Sequence, residues 1–121
     1  MIVIDVPWPL KELSPNWKGH WGKKSKSVKQ YRMMCCAYAK NAVTAARYEV
    51  RADGDLQLHL DFYPPNKQKR DDDNLVASFK SGRDGIADAL GIDDHRFKTS
   101  FDVCEPVKGG AVRVTIQELV Q

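Results

Sequence analysis

Cysteine is scarce in this chain of 121 residues, and its three copies exclude two common classes of small domain. Cys35 and Cys36 are adjacent and Cys104 is far along the chain, so they form neither a disulfide framework nor a zinc-ligand spacing. We therefore expect a protein of the reducing cytoplasm whose cysteines are small buried side chains.

Long hydrophobic runs are also missing, since no stretch approaches the roughly 20 apolar residues of a membrane span. Asp5 interrupts the apolar start where a secretory signal would keep its core, so we expect neither membrane insertion nor export. Internal repeats, linkers and low-complexity segments are absent as well. The chain is long enough to bury a hydrophobic core without disulfides or a bound metal, which predicts one domain over residues 1–121.

The net charge of +3 hides an uneven distribution. Residues 71–94 contain seven acids against Lys80 and Arg83, a balance of −5, so the rest of the chain carries +8. A basic body around an acidic pocket suits a polyanion held through cations and a recruited metal. Solvated helix faces would give the same totals, and charge alone does not separate the two interpretations.

Periodicity predicts an α+β fold in which a mixed sheet packs against two main helices, in the order β-α-β-α-β-β. The strands are expected at residues 2–6, 56–62, 96–105 and 111–118, with Lys108-Gly109-Gly110 as a hairpin turn between the last two. Ser27 and Gln30 fit a capping box, which places the start of the first helix at Ser27. The second helix should run from Asn74 to a left-handed stop at Gly91.

A long loop from Leu10 to Lys26 interleaves lysines with Trp17, His20 and Trp21. Cations can hold phosphates and aromatic rings can stack on unpaired bases, so this loop is a candidate nucleic-acid surface. For Trp8 and Trp17 we favour plain packing onto the domain. His59 lies on the polar face of the alternating strand 56–62, where we expect a surface histidine rather than a metal ligand.

The run Lys69-Arg70-Asp71-Asp72-Asp73-Asn74 is the most informative stretch of the chain. Magnesium takes oxygen ligands and keeps several waters, so a few carboxylates and a substrate phosphate complete its site. One aspartate should cap the following helix, but three exceed what capping requires. In an extended segment Asp71 and Asp73 share a side, which makes them the metal-binding pair.

A third oxygen could come from Asp93 or Asp94, which follow the second helix. A straight helix of roughly 17 residues would separate the two acidic corners by about 25 Å. Convergence therefore requires a broken helix or a loop that folds back. Gly82 and Gly85 are possible break points, or places where another element or subunit approaches closely.

Arg70-Asp71-Asp72-Asp73-Asn74-Leu75, followed by Ile92-Asp93-Asp94, resembles the RusA family of Holliday junction resolvases. Val6-Pro7-Trp8-Pro9, the basic loop around Asn16 and Lys29-Gln30-Tyr31-Arg32 look like the corresponding family segments. The resemblance covers nearly the whole chain. It implies a single RusA-like endonuclease domain, acting as a homodimer that uses Mg²⁺ to make paired symmetric nicks in four-way DNA junctions.

Carried over by position, the resemblance implies Asp71, Asp73 and Asp94 as metal ligands and catalytic residues, with no organic cofactor. The residues expected to bind the DNA are Asn16, Lys18, His20, Lys23, Lys24, Lys26, Lys67, Lys69 and Arg70. The chain departs from the family at Ala77, where the best-known members carry a lysine. Lys80 is the preferred replacement as the catalytic cation, and Lys69 is the alternative.

Two other functions stay open from the sequence. The acids could merely cap a helix in a non-catalytic nucleic-acid-binding module. The same metal chemistry could also serve a nuclease specific for flaps or other branched DNA.

Overall fold

The computed structural model describes residues 1–119 of the chain and has the predicted order of strands and helices. The predicted second helix is divided into two pieces. The elements are β1 (Ile2–Pro7), α1 (Trp21–Ala46), β2 (Leu56–Tyr63), α2 (Asp72–Ser78), α3 (Lys80–Leu90), β3 (Phe97–Val103) and β4 (Ala111–Glu118). Within these residues, no helix is both long enough and apolar enough to cross a bilayer.

The strands form one mixed sheet in the order β1-β4-β2-β3. Pairings of β4 with β1 and β2 are antiparallel, and β3 pairs with β2 in parallel. Alternation buries Leu56, Leu58, Leu60 and Phe62 of β2 on one face, where the core also contains apolar side chains of the helices. The side chains between them, such as His59 and Asp61, lie on the opposite face, called here the open face of the sheet.

The predicted hairpin between β3 and β4 is wrong, because β2 lies between these two strands. The connection crosses the end of β2, where the amide of Cys104 donates to the carbonyl of Phe62 at 2.8 Å. Gly109 and Gly110 still make a turn, with φ angles of 79° and 71°. Turn chemistry was therefore identified correctly, but it does not specify which strands pair.

Helix α1 begins at Trp21, earlier than the predicted start at Ser27. The His20 ring accepts a hydrogen bond from the amide of Gly22 at 3.1 Å and caps the helix in place of the predicted serine. Ser27 is buried inside the helix. As a result, Lys23, Lys24 and Lys26 lie on the first turns of α1 rather than in a loop.

Helices α1 and α3 pack closely at the two glycines of α3. A Cβ atom on Gly85 would lie 2.2 Å from the carbonyl oxygen of Arg32, and one on Gly82 would lie 2.8 Å from the Tyr31 ring. The predicted close approach is confirmed and occurs within the chain. Arg32 reinforces it with two hydrogen bonds to Asp88, at 2.7 and 2.9 Å.

The break in the second helix falls at Phe79, not at either glycine. The hydroxyl of Ser78 donates to the carbonyl of Leu75 at 2.6 Å, and such back-bonding weakens the regular helix ladder. The Phe79 ring then turns into the core against Tyr31 and Phe62. Helix α3 ends as predicted at Gly91, whose φ of 68° is left-handed.

Candidate nucleic-acid interface and acidic corners

A groove of about 290 Å³ lies between the loop after β1 and the segment that leads into α2, and it is called here the loop groove. It brings together four residues that the sequence had indicated in two separate segments: Asn16, and Lys69, Arg70 and Asp71. The complete lining is Trp8, Pro9, Leu10, Lys11, Ser14, Asn16, Gln68, Lys69, Arg70, Asp71, Asn74, Leu75 and Ser78. Lys11 in this lining was not predicted, although it begins the same basic loop.

Arg70 is held in place on one wall of the loop groove. Its guanidinium lies 5.6 Å from the centre of the Trp8 ring and donates to the backbone carbonyls of Asn66 and Gln68. The Trp8 ring packs edge-on against Phe62, as expected for a structural tryptophan. Because these contacts fix the guanidinium, a phosphate in the groove would meet a preorganised cation.

Asp71 caps α2, since its carboxylate accepts a hydrogen bond from the amide of Asp73 at 2.9 Å. Asp72 and Asp73 occupy the first helical turn. The prediction that Asp71 and Asp73 share one side of an extended segment is wrong, because the chain is already helical at Asp72. All three side chains are exposed, and among residues 1–119 no cationic side chain pairs with them.

The second acidic corner lies where a short turn, Asp94–Arg96, follows α3. Lys80 donates from its ammonium to Asp84 at 2.6 Å and to Asp94 at 3.0 Å, and Arg83 lies 3.6 Å from Asp94. The hydrogen bond from Lys80 holds the pKa of Asp94 below its usual range. The same network, led by the bond to Asp84, raises the pKa of Lys80. The structure therefore brings together the predicted catalytic lysine and one predicted metal ligand.

The two acidic corners do not form one compact ligand set in the described chain. Within residues 1–119, the carboxylate oxygens of Asp71, Asp73 and Asp94 are not all within 4.8 Å of one another. A second groove, of about 250 Å³, borders Lys24, Lys80 and Asp84. Ser78 lines both this groove and the loop groove, so a surface extends from the α2 start toward Lys80.

The remaining predicted DNA-binding residues are mostly exposed, and some have partners within the chain. Lys23 lies 3.6 Å from Glu12, and the Lys24 ammonium donates to the carbonyl of Ser14. Trp21 is 77% exposed and stacks on His20, with ring centres 6.0 Å apart. The other members are exposed: Asn16, Lys18, Lys26, Lys67 and Lys69.

Sequence reasoning missed a group on the open face of the sheet. The group consists of His59, Asp61 and Asp102, and its possible metal-ligand atoms all lie within 4.8 Å of one another. Among residues 1–119, no other three histidine, cysteine or acidic side chains meet this distance. The alternation in β2 places His59 and Asp61 on one face, but the parallel pairing that adds Asp102 joins strands distant in sequence.

Comparison with known proteins identifies a relative in Xylella fastidiosa. Over 119 residues the chain is 44% identical to an uncharacterized protein of Xylella fastidiosa (strain Temecula1 / ATCC 700964). The matched region covers 98% of this chain and 77% of the Xylella protein. The chain belongs to the family of this Xylella protein. No family model matches the chain. The match spans the residues of this chain that form the loop groove, both acidic corners and the open face of the sheet.

Proposed function

We propose that the chain is a Mg²⁺-dependent endodeoxyribonuclease that resolves four-way DNA junctions, as its resemblance to the RusA family implies. The observation that carries the proposal is the charge arrangement at the start of α2. Three consecutive exposed aspartates have no cationic partner in residues 1–119, and the first of them, Asp71, lines a groove that also contains Lys11, Lys69 and Arg70. Such a site offers acids to a metal and cations to a polyanion.

The DNA backbone would lie along the basic side of the two grooves. Lysines contribute phosphate contacts that set position without reading sequence. Lys24 borders the second groove, and Lys69 borders the loop groove. Trp21 presents an exposed ring on which an unpaired base at a branch point can stack. This combination favours branched over uniform duplex DNA.

The donor chemistry of the acidic residues fits magnesium, since Asp71, Asp73 and Asp94 offer carboxylate oxygens alone. Bound there, Mg²⁺ would activate a water and offset charge on the phosphoryl group. Within one chain these oxygens do not converge, and Asp94 is bonded to Lys80. A complete site therefore requires the two corners to approach each other, within the chain or across a homodimer.

Lys80 is the residue for which we propose transition-state stabilisation. The Lys80 side chain is 60% exposed, and two carboxylates hold its ammonium, so the ammonium stays charged and oriented. A fixed cation beside the developing phosphoryl charge lowers the barrier more than a mobile one. Ala77, where the best-known RusA members carry a lysine, borders the same groove as Lys80.

Labelled four-way junctions incubated with the protein and Mg²⁺ test the proposal. We expect symmetric nicks that EDTA abolishes. Asp73→Asn should lose cleavage and still shift the junction on a gel, because one ligand is lost and the basic grip remains. Asp72→Asn is the matched control, because it removes the charge of a neighbouring exposed aspartate that is not a predicted ligand. The Asp72→Asn protein should cleave the junction normally. Full activity of Asp73→Asn would refute the assignment.

A non-catalytic nucleic-acid-binding module is the second candidate, and two contacts favour it. The Asp71 carboxylate is already used as a helix cap, and Asp94 is already neutralised by Lys80. Such a module would shift the junction without nicking it at any Mg²⁺ concentration. Nicking of flaps or loops in preference to junctions would instead assign the same chemistry to other branched DNA. Either protein would function in a reducing cytoplasm, which suits three free thiols.

A further inference from the structure

We propose that His59, Asp61 and Asp102 form a Zn²⁺ site on the open face of the sheet, separate from the acidic corners. The ring nitrogen Nε2 of His59 lies 3.2 Å from an oxygen of Asp61 and 3.1 Å from an oxygen of Asp102. The three side chains project from β2 and β3, which are adjacent strands of the sheet, so the framework of the site is rigid.

The strand register explains why these groups meet. Parallel pairing of β2 with β3 places Asp61 directly beside Asp102 and His59 beside Ser100. Like charges directly opposite one another destabilise a sheet. The nearest cationic side chain by register is Arg113, the β4 partner of Asp61. Its guanidinium is bound instead to Asp5, at 2.8 and 3.3 Å.

The two aspartates therefore share a site in which the positive partner is missing or supplied by His59. Lys98 lies on the same strand as Asp102, but within residues 1–119 it forms no ion pair. A divalent metal at this point would neutralise both carboxylates. The alternative is a purely internal network in which Nε2–H donates to the carboxylates, and the experiment separates the two.

The other nitrogen of the His59 ring supports metal binding. Nδ1 lies 2.7 Å from the hydroxyl of Ser100, which also accepts a hydrogen bond from the Gln57 amide at 3.1 Å. Histidines that bind metals almost always donate their second ring N–H to an oxygen, which leaves the first nitrogen free for the metal. Ser100 is placed to accept that N–H. The thiol of Cys104 lies 3.8 Å from Asp61 and can orient its carboxylate in the same way.

The ligand types indicate zinc. Imidazole nitrogen suits Zn²⁺ and related transition metals, whereas Mg²⁺ and Ca²⁺ prefer all-oxygen sites. Three protein ligands, one nitrogen and two oxygens, leave a coordination position for water in a four-coordinate zinc site. The His59 and Asp61 side chains are 28% and 24% exposed, and Asp102 is 72% exposed, so the site is open to solvent.

Calorimetric titration of the full chain with Zn²⁺, in the presence of excess Mg²⁺, tests this proposal. We expect one saturable equivalent that magnesium does not displace. His59→Gln and Asp102→Asn should each weaken binding by more than about tenfold, since each removes a ligand. Asp102 is largely exposed, so Asp102→Asn should fold normally, which circular dichroism would verify.

Asp93→Asn is the matched control, because Asp93 also contacts a histidine, His95, at an exposed position outside the strands. It should bind zinc as the unmodified chain does, and so should Asp73→Asn, whatever the outcome of the junction assay. The proposal is overturned if no zinc binds, if magnesium displaces it, or if Asp102→Asn binds with unchanged affinity. The first of these results would establish the internal network.

Discussion

The close contact of Gly85 in α3 with the backbone of α1 predicts a large loss of stability when a single methyl group is added by Gly85→Ala. The added Cβ would lie 2.2 Å from the Arg32 carbonyl oxygen, while ordinary contacts begin near 3.4 Å. Because the obstacle is backbone of α1, a side-chain rotation cannot relieve it. The helices must separate locally by about 1.2 Å. That shift disturbs the packing of Tyr31 and Cys35, which are fully buried.

Two opposing effects set the magnitude of the Gly85→Ala change. Overpacking in a dense core costs about 1–3 kcal/mol and sometimes more, because few voids can absorb the displacement. Alanine returns about 1 kcal/mol through its higher helix propensity. We place the contact at the upper end of the first range, since backbone meets backbone, and expect a net loss of about 2 kcal/mol. For a domain of this size the melting temperature should fall by about 8 °C.

Urea unfolding followed by circular dichroism measures this loss. Gly22→Ala is the control for the same change against a movable neighbour, because its Cβ would lie 3.0 Å from the exposed His20 ring, which caps α1 and can shift. That variant should lose much less stability than Gly85→Ala. If Gly85→Ala were as stable as the unmodified chain, the close packing of α1 on α3 would be refuted. The position of Lys80 and Asp84, which lie on α3, would then be wrong as well.

Two further predictions separate charge that stabilises the fold from charge that is free for a ligand. Asp71→Ala should lower the free energy of unfolding by about 1 kcal/mol through loss of the cap, while Asp71→Asn keeps the cap and should be nearly neutral. An equal loss in both variants would show that charge rather than capping is involved. Asp88→Asn should cost about 0.5–1 kcal/mol at neutral pH, because the Arg32–Asp88 pair is bidentate but half exposed. Since the hydrogen bonds from Arg32 hold the pKa of Asp88 below its usual range, this contribution is complete above the normal carboxyl range. It should disappear as the pH falls through the lowered pKa, so urea unfolding of the two proteins should converge in acid. A constant difference down to pH 2 would contradict this cause.

Local patterns predicted the elements of this fold well, because the information lies within a few residues. Strict alternation identified β2, and Gly91 fixed the end of α3. Errors arose where tertiary contacts decide the outcome. The first helix begins at Trp21 rather than at Ser27, since the His20 cap and the buried packing of Ser27 prevail over a good capping box.

Strand pairing and site assembly were beyond local patterns. The turn at Gly109 and Gly110 carries no information about β2, which inserts between β3 and β4. The same parallel pairing places Asp102 beside Asp61, so the histidine group could not be derived from spacing alone. The structure also places Asn16 in one groove with Arg70 and Asp71, a proximity that no local pattern predicted.

The acids of residues 71–94 divide into two classes once their partners are known. Asp84 and Asp94 share Lys80, Asp88 binds Arg32, and Asp93 contacts His95. These pairs use their charge within the chain, so removal of Asp84, Asp88 or Asp93 should act on stability or on the orientation of Lys80. Removal of Asp94 would in addition remove a proposed metal ligand.

The three aspartates at the start of α2 have no cationic partner in residues 1–119. Their mutual repulsion is tolerable in water, at about 1 kcal/mol for charges 4 Å apart, and is reduced by the positive end of the helix. Removing one of them should therefore change stability little, apart from the cap made by Asp71. A strong effect on DNA cleavage with unchanged folding is what distinguishes a ligand site from a structural one, and Asp73 is the position at which the two are cleanly separable.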